Sequence, residues 1–378
     1  MTLANYELKE NPFRIGPPLN AKQILWAGFP ELKSKIEQRI VFGIKTSPSR
    51  IVLNWGRYGS GKTHAANFFT RTDAVLQLAN EANASPVKSI KVNLPRTSKD
   101  PVQAFLRSFL GQVSLLEIKK DFDALTQRLT GPVVSDLLAG VSSDSVIMEL
   151  FKIIINDEDG DKYSKIEAYL FGDSTKGTLT NLGLPAGLKD DEQIVNLLST
   201  YFNCITHEKV LYSSINLWID EFEDIDTLSK VSQDRFTTFL RQLFDKTPNN
   251  LTLFLNFTPK TFFNVEDLSI TLGEALATRA KLQIVFEEPS IAQAKTYIAE
   301  LLNATQYRAE PKADNPYFPF DDGALTFVLK NIGRLSIRKI NEVLSLILEL
   351  AMANDAELIT EDFVNSIKSE IVSWEQVS

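Results

Sequence analysis

The chain has 378 residues, 44% of them hydrophobic, enough for a substantial core and two or three domains. Its 48 acidic against 40 basic residues leave a formal charge of −8, which argues against a wholly basic nucleic-acid-binding surface. A single cysteine, Cys204, excludes an internal disulfide framework, and no apolar run approaches the ~18 residues of a membrane span, so a cytoplasmic protein with no membrane partner is expected.

Residues 1–30 carry Pro12, Pro17, Pro18 and Pro30 and read as irregular, and Glu7 and Glu10 fall where a signal peptide would be apolar. A helix is predicted over 31–42, then a short apolar strand over 50–55 (RIVLNW) that ends in a glycine-rich turn. The next helix starts near Lys62. A second strand covers 87–94, and Asp100-Pro101 has the form of a helix N-cap followed by proline at the first helical position. Residues 100–210 are helical in pattern, with one turn-rich interruption over 172–189.

A strand over 213–219, an acidic exit loop, a helix near 231–244 and strands over 251–257 and 281–287 complete the alternation. Strands alternating with helices indicate an α/β domain with a mostly parallel sheet, over 46–288. The pattern from Pro289 onward is helical only, a second domain over 289–378, and residues 1–45 form an N-terminal segment with the first helix. Within that last part Val343 to Ala353, interrupted by Ser345 and Glu349, reads as a buried amphipathic helix.

Gly56-Arg57-Tyr58-Gly59-Ser60-Gly61-Lys62-Thr63 matches GxxxxGK[ST], between an apolar strand and a helix pattern. Glycines let consecutive backbone N–H groups turn toward one anion, and the helix N-terminus adds its positive dipole end. Lys62 would reach the terminal phosphates of a nucleotide and the Thr63 hydroxyl would bind Mg²⁺; His64 follows directly on the same helix. The metal's second anchor is expected at Asp220, where the strand Ile215-Asn216-Leu217-Trp218-Ile219 ends, with Glu221 polarising the attacking water. Glu223 and Asp224 read as solvated surface.

Other signals carry less. Asn156 to Asp161 has the look of a calcium loop, but with Gly160 sixth the first and twelfth positions are Ile155 and Ile166, which lack carboxylates, so it reads as a solvated turn. Cys204 and His207 share one predicted helix face, but two ligands make no zinc site.

The glycine loop followed later by a strand ending Asp220-Glu221 resembles the AAA+ ATPases, an α/β P-loop core with a helical lid domain, using ATP and Mg²⁺. That resemblance implies a polar sensor at Asn256, with Thr258 as competitor, and an arginine finger at Arg279 acting on a neighbouring subunit of a homo-oligomer. It also implies a second sensor in Gly333-Arg334-Leu335-Ser336-Ile337-Arg338: Arg338 suits the helix phase, two places later than the usual spacing, and Arg334 is the alternative.

The subgroup it is most similar to is the initiator or origin-recognition type, with the transposition-regulator ATPases. Asn11-Pro12-Phe13, Trp26-Ala27-Gly28 and Leu358-Ile359-Thr360-Glu361-Asp362-Phe363 carry that likeness, which implies that Pro12, Phe13 and Ile24 cover the adenine. Two features depart from it: no winged-helix pattern follows the lid, and the 100–210 insertion is roughly twice what a compact core needs. Tyr169-Leu170-Phe171-Gly172 and Leu182-Gly183-Leu184 faintly resemble anti-phage ATPases of the BREX kind. The resemblance implies an ATPase that loads or directs a partner on DNA, in mobile-element control, replication or anti-phage defence. The acidic balance favours the alternative, an ATP-dependent switch acting on a protein effector alone. A partner-binding role is expected of the insertion.

Overall fold

The computed structural model describes residues 1–14, 16, 23–96, 99–129, 131–157, 160–184, 188, 190–258 and 272–371. Among these, the strands β1 (Arg50–Gly56), β2 (Val87–Asn93), β3 (Ser214–Asp220), β4 (Leu251–Phe257) and β5 (Leu282–Phe286) form one sheet in the order β2-β3-β4-β1-β5. The pairs β1·β4, β3·β4 and β2·β3 are parallel, in registers such as Leu53↔Leu255, Leu217↔Leu253 and Ile90↔Leu217. β3 and β4 are buried at every position, which explains why they read as continuous apolar runs rather than alternating ones.

The chain divides into two compact units, one of Ile36–Trp55 and Phe69–Ile284, the other of Met1–Lys35, Gly56–Phe68 and Val285–Ser378. The first unit holds most of the sheet. Its helices are most of α1 (Pro30–Lys45), α3 (Thr72–Glu81), α4 (Pro101–Gln112), α5 (Leu115–Arg128), α6 (Gly131–Val141), α7 (Ser145–Asn156), α8 (Tyr163–Leu170), α9 (Lys176–Leu182), α10 (Asp191–Ile205), α11 (Lys230–Lys246) and the short α12 (Glu274–Ala277). Local chemistry sets their starts: Asp100 accepts from the Gln103 amide at 3.0 Å with Pro101 at the first helical position, and Ser114, Asp144, Thr175 and Asp190 cap in the same way.

Residues 100–210 are helical as expected, with two differences. A two-turn helix, α9, sits inside the stretch read as turns, started by Thr175 and ended by Gly183 at φ 69°. α10 stops at Ile205, so His207 leaves the helix face of Cys204. In the calcium-like loop Glu158 and Asp159 lie outside the described residues. Asp157 there is buried, and its carboxylate accepts from the Lys162 amide at 3.0 Å, so it is not solvated.

This helical stretch shares one core with the sheet. Phe105 of α4 meets Phe239 of α11 edge-on at 5.4 Å, and Phe109 meets Phe202 of α10 at 5.8 Å, in the same cluster as Ile51, Ile90 and Leu253. Side chains of residues 100–210 are therefore part of what covers the sheet.

In the second unit α2 (Lys62–Phe69, to Phe68) and the helices α13 (Ile291–Leu302), α14 (Asp322–Asn331), α15 (Ile337–Ala353) and α16 (Glu361–Ile367) follow. The N-terminal residues are built into their core: the Tyr6 hydroxyl donates to Ala356 O at 2.5 Å, and the buried Arg308 guanidinium donates to Phe318 O at 2.6 Å and Tyr6 O at 3.2 Å. No helix among the described residues is long and apolar enough to cross a membrane.

Candidate functional site

β1 runs without a break into the glycine loop, and α2 begins at Lys62. Gly59 and Gly61 have φ of 78° and 99°, a region that side-chain-bearing residues rarely enter. A β-carbon on Gly56 would lie 2.6 Å from Phe286 Cβ, whereas one on Gly61 would meet nothing within 4 Å. The loop is thus closed on one side and open at Gly61. Among the described residues the buried Ser60 hydroxyl has no hydrogen-bond partner, and the Lys62 ammonium curls back to donate to Gly56 O at 2.6 Å and Arg57 O at 3.0 Å. An open turn with an unsatisfied donor and a cation at a helix N-terminus fits a bound phosphate chain.

Thr63 and His64 are exposed on α2, and the His64 ring lies 6.0 Å from Trp26. Trp26 also meets Phe68 edge-on at 5.4 Å. Pro12, Phe13 and Ile24, expected over the adenine, are buried instead; Phe13 is 1% exposed and packs edge-on against Phe320 in the helical core.

α15 starts at the phosphate loop. Ser336 caps it, the Arg338 amide donates to Gly59 O at 3.3 Å, and a β-carbon on Gly59 would lie 3.0 Å from Arg338 Cβ. The Arg338 guanidinium hydrogen-bonds the Tyr58 hydroxyl and lies 4.8 Å from that ring's centroid, while Tyr58 is 68% exposed. Arg334 turns the other way and pairs with Glu288.

In the sheet-bearing unit Asp220 ends β3, 2% exposed. Its Oδ1 accepts from Asn256 Nδ2 at 2.9 Å, and its Oδ2 lies 3.2 Å from Lys91 Nζ. Asn256 in turn accepts from Asn54 Nδ2 at 2.8 Å. Side chains of β1, β4, β3 and β2 are thereby joined in one row at the edge where the parallel strands end. Asn54 and Lys91 were missed by sequence reasoning, although a polar residue inside RIVLNW and a lysine inside VKSIKVN are the signals that mark them.

Glu221 has a left-handed backbone, φ 56°, and its carboxylate accepts from Arg96 Nη2 at 2.8 Å. Arg96 Nε also donates to Asp224 at 2.7 Å, and Glu223 accepts from the Thr258 amide at 3.2 Å. Glu223 and Asp224 are therefore not solvated surface as expected; both brace the turn after β3. Thr258 meets this turn through its backbone, whereas the Asn256 side chain reaches Asp220. Arg279 follows α12 and forms a two-point pair with Asp245 of α11, Nε to Oδ1 3.1 Å and Nη2 to Oδ2 3.2 Å.

Comparison with solved structures now bears on the fold. The chain is similar to the ORC2 protein of Aeropyrum pernix, solved as ADPNP–ADP complexes, with a TM-score of 0.50, 14% identity, and 96% of this chain and 72% of that one covered. At that identity the likeness is one of fold alone, the α/β sheet core with a helical domain expected from the sequence. Similar too are ORC1 of the same organism, in complex with DNA (TM-score 0.48, 13% identity, 96% and 70% covered), and PCH-2 of C. elegans (0.45, 14%, 94% and 74%). No protein-family model matches the sequence, and no curated protein does.

Proposed function

We propose that this chain is an ATP hydrolase that couples ATP binding and hydrolysis to its own assembly, and through assembly to loading or remodelling a protein partner on DNA. One observation carries the reading. β1 ends in an open glycine loop with an unsatisfied serine hydroxyl and a lysine, and β3, parallel in the same sheet, ends in a carboxylate already held by an asparagine.

In this reading Gly56 to His64 surround the phosphates, with Lys62 on the terminal ones. The Thr63 hydroxyl and the Asp220 carboxylate, both hard oxygen donors, are the residues that would hold Mg²⁺, which would supply charge neutralisation at the phosphoryl oxygens. Glu221 polarises the attacking water once it leaves Arg96, and Asn256 orients that water beside Asp220. Arg338 takes the second-sensor role, supported by its docking on Gly59 and Tyr58. Arg279 serves as the finger for a neighbouring copy, leaving Asp245 to do so.

The net charge of −8 favours a second reading, a switch that acts on a protein effector without touching nucleic acid. Turnover measured alone, with duplex DNA and with single-stranded DNA, while mass is followed by light scattering, separates the two. DNA stimulation with ATP-dependent growth in mass is expected. Growth in mass with no response to either DNA selects the switch.

A further inference from the structure

Asp220 is a buried carboxylate whose two oxygens already have partners within the sheet. Removing a carboxylate from water is costly unless charge and hydrogen bonds replace the lost hydration. Asn256 supplies a hydrogen bond and is itself joined to Asn54, and Lys91 supplies a positive charge. Lys91 comes from β2, the edge strand, and its side chain is 18% exposed. It pairs with no other carboxylate among the described residues. Behind this row Trp218 and Phe254 stack at 4.0 Å, and the Trp218 indole donates to Ser89 at 3.2 Å, so the polar row is walled off by aromatic rings. An all-apolar row would serve folding as well or better, so a charge pair kept here asks for another reason.

We propose that Lys91 is a positioning residue and resident counter-ion for Asp220, one that suppresses metal binding in the absence of nucleotide. The proposal rests on the reading of Asp220 as a metal anchor. A divalent cation approaching that carboxylate meets an ammonium 3.2 Å from Oδ2, and binding is an exchange of one cation for another. Two positive charges so close repel strongly in a buried setting. Because β2 lies at the sheet edge, the lysine has a route to solvent when it is displaced. Metal alone then competes poorly, and metal carried by nucleotide phosphates competes well. Lys91 also helps hold the carboxylate turned toward Asn256.

The test is binding of Mn²⁺ alone, followed by electron paramagnetic resonance, on wild type, Lys91→Met, Lys91→Arg and Asp220→Asn. Lys91→Met is expected to bind Mn²⁺ at least about tenfold more tightly than wild type, since a repelling charge has gone. Lys91→Arg, which keeps the charge, should stay near wild type. In EDTA the Lys91→Met protein should unfold at a lower temperature than wild type and regain the loss with Mn²⁺. Should Lys91→Met not fold, Lys91→Gln, which keeps a hydrogen bond, replaces it with the same expectation. Unchanged or weaker Mn²⁺ binding in the charge-removing variant overturns the counter-ion role while leaving Asp220 as anchor. If instead Asp220→Asn, alone and combined with Lys91→Met, leaves Mn²⁺ binding unaltered, the anchor reading fails and the proposal with it.

Discussion

Arg338, in the first turn of α15, hydrogen-bonds the hydroxyl of Tyr58 in the phosphate loop, with its guanidinium 4.8 Å from the ring centroid. A flexible arginine is thus held beside the loop, which would lower the entropy lost on engaging a phosphate in the proposed second-sensor role. Replacing Arg338 by alanine should weaken ATP by about tenfold, roughly 1.4 kcal/mol for a charge-assisted hydrogen bond, and ADP by much less. Arg334→Ala should change neither, since Arg334 pairs with Glu288. Calorimetric titration of both nucleotides checks this; equal losses of ATP and ADP in Arg338→Ala would remove its γ-phosphate role.

Arg96 holds the carboxylate of Glu221 in a pair open to solvent. A carboxylate engaged by a guanidinium must leave it before that oxygen can accept from a water. Arg96→Ala should therefore raise basal ATP turnover, by roughly twofold to fivefold as fits an exposed pair. A fall in turnover with unaltered nucleotide affinity would mean that Arg96 orients Glu221 productively instead.

Arg279 is tied to Asp245 within the chain. If it acts on a neighbour, Arg279→Ala mixed with Lys62→Ala should recover part of the lost hydrolysis, because one interface then has both groups intact. No recovery in mixtures shown by mass to co-assemble counts against the finger.

The helices of residues 100–210 share the core of the sheet, and this sets a stability expectation. Phe105→Ala, at a site with 0% exposure between Phe236 and Phe239, should cost about 3–5 kcal/mol by chemical denaturation. Cys204 offers a companion probe: burial pushes its thiol up to about 12, so a thiol reagent should label it only on unfolding. Rapid labelling of the native protein, or a loss below about 1 kcal/mol in Phe105→Ala, would show this stretch to be an appendage.

Much of the fold was legible because its signals are local. Strand runs such as LTLFLNF are buried at every position, and Asp100-Pro101 caps a helix as its chemistry dictates. The glycine turn after β1 was equally plain, since Gly59 and Gly61 answer to backbone angles. What stayed hidden depends on tertiary neighbours. Lys91 reaches a carboxylate on the next strand, Arg96 reaches a turn far along the chain, and Phe13 is drawn into a core by Phe320. Likewise α9 escaped notice because Gly172 and Gly177 gave that stretch the composition of a turn.

The central claim is that the glycine loop and the acidic pair after β3 hydrolyse ATP, and one comparison tests it most directly. Nucleotide binding and steady-state ATP turnover are measured side by side for wild type, Lys62→Ala and Glu221→Gln. Lys62→Ala should lose ATP binding, because it removes the cation at the β- and γ-phosphates. Glu221→Gln should bind ATP as wild type does and turn it over at least about a hundredfold more slowly, the span expected for loss of a general base. Turnover at the wild-type rate in Glu221→Gln, or retained micromolar ATP affinity in Lys62→Ala, would contradict the claim.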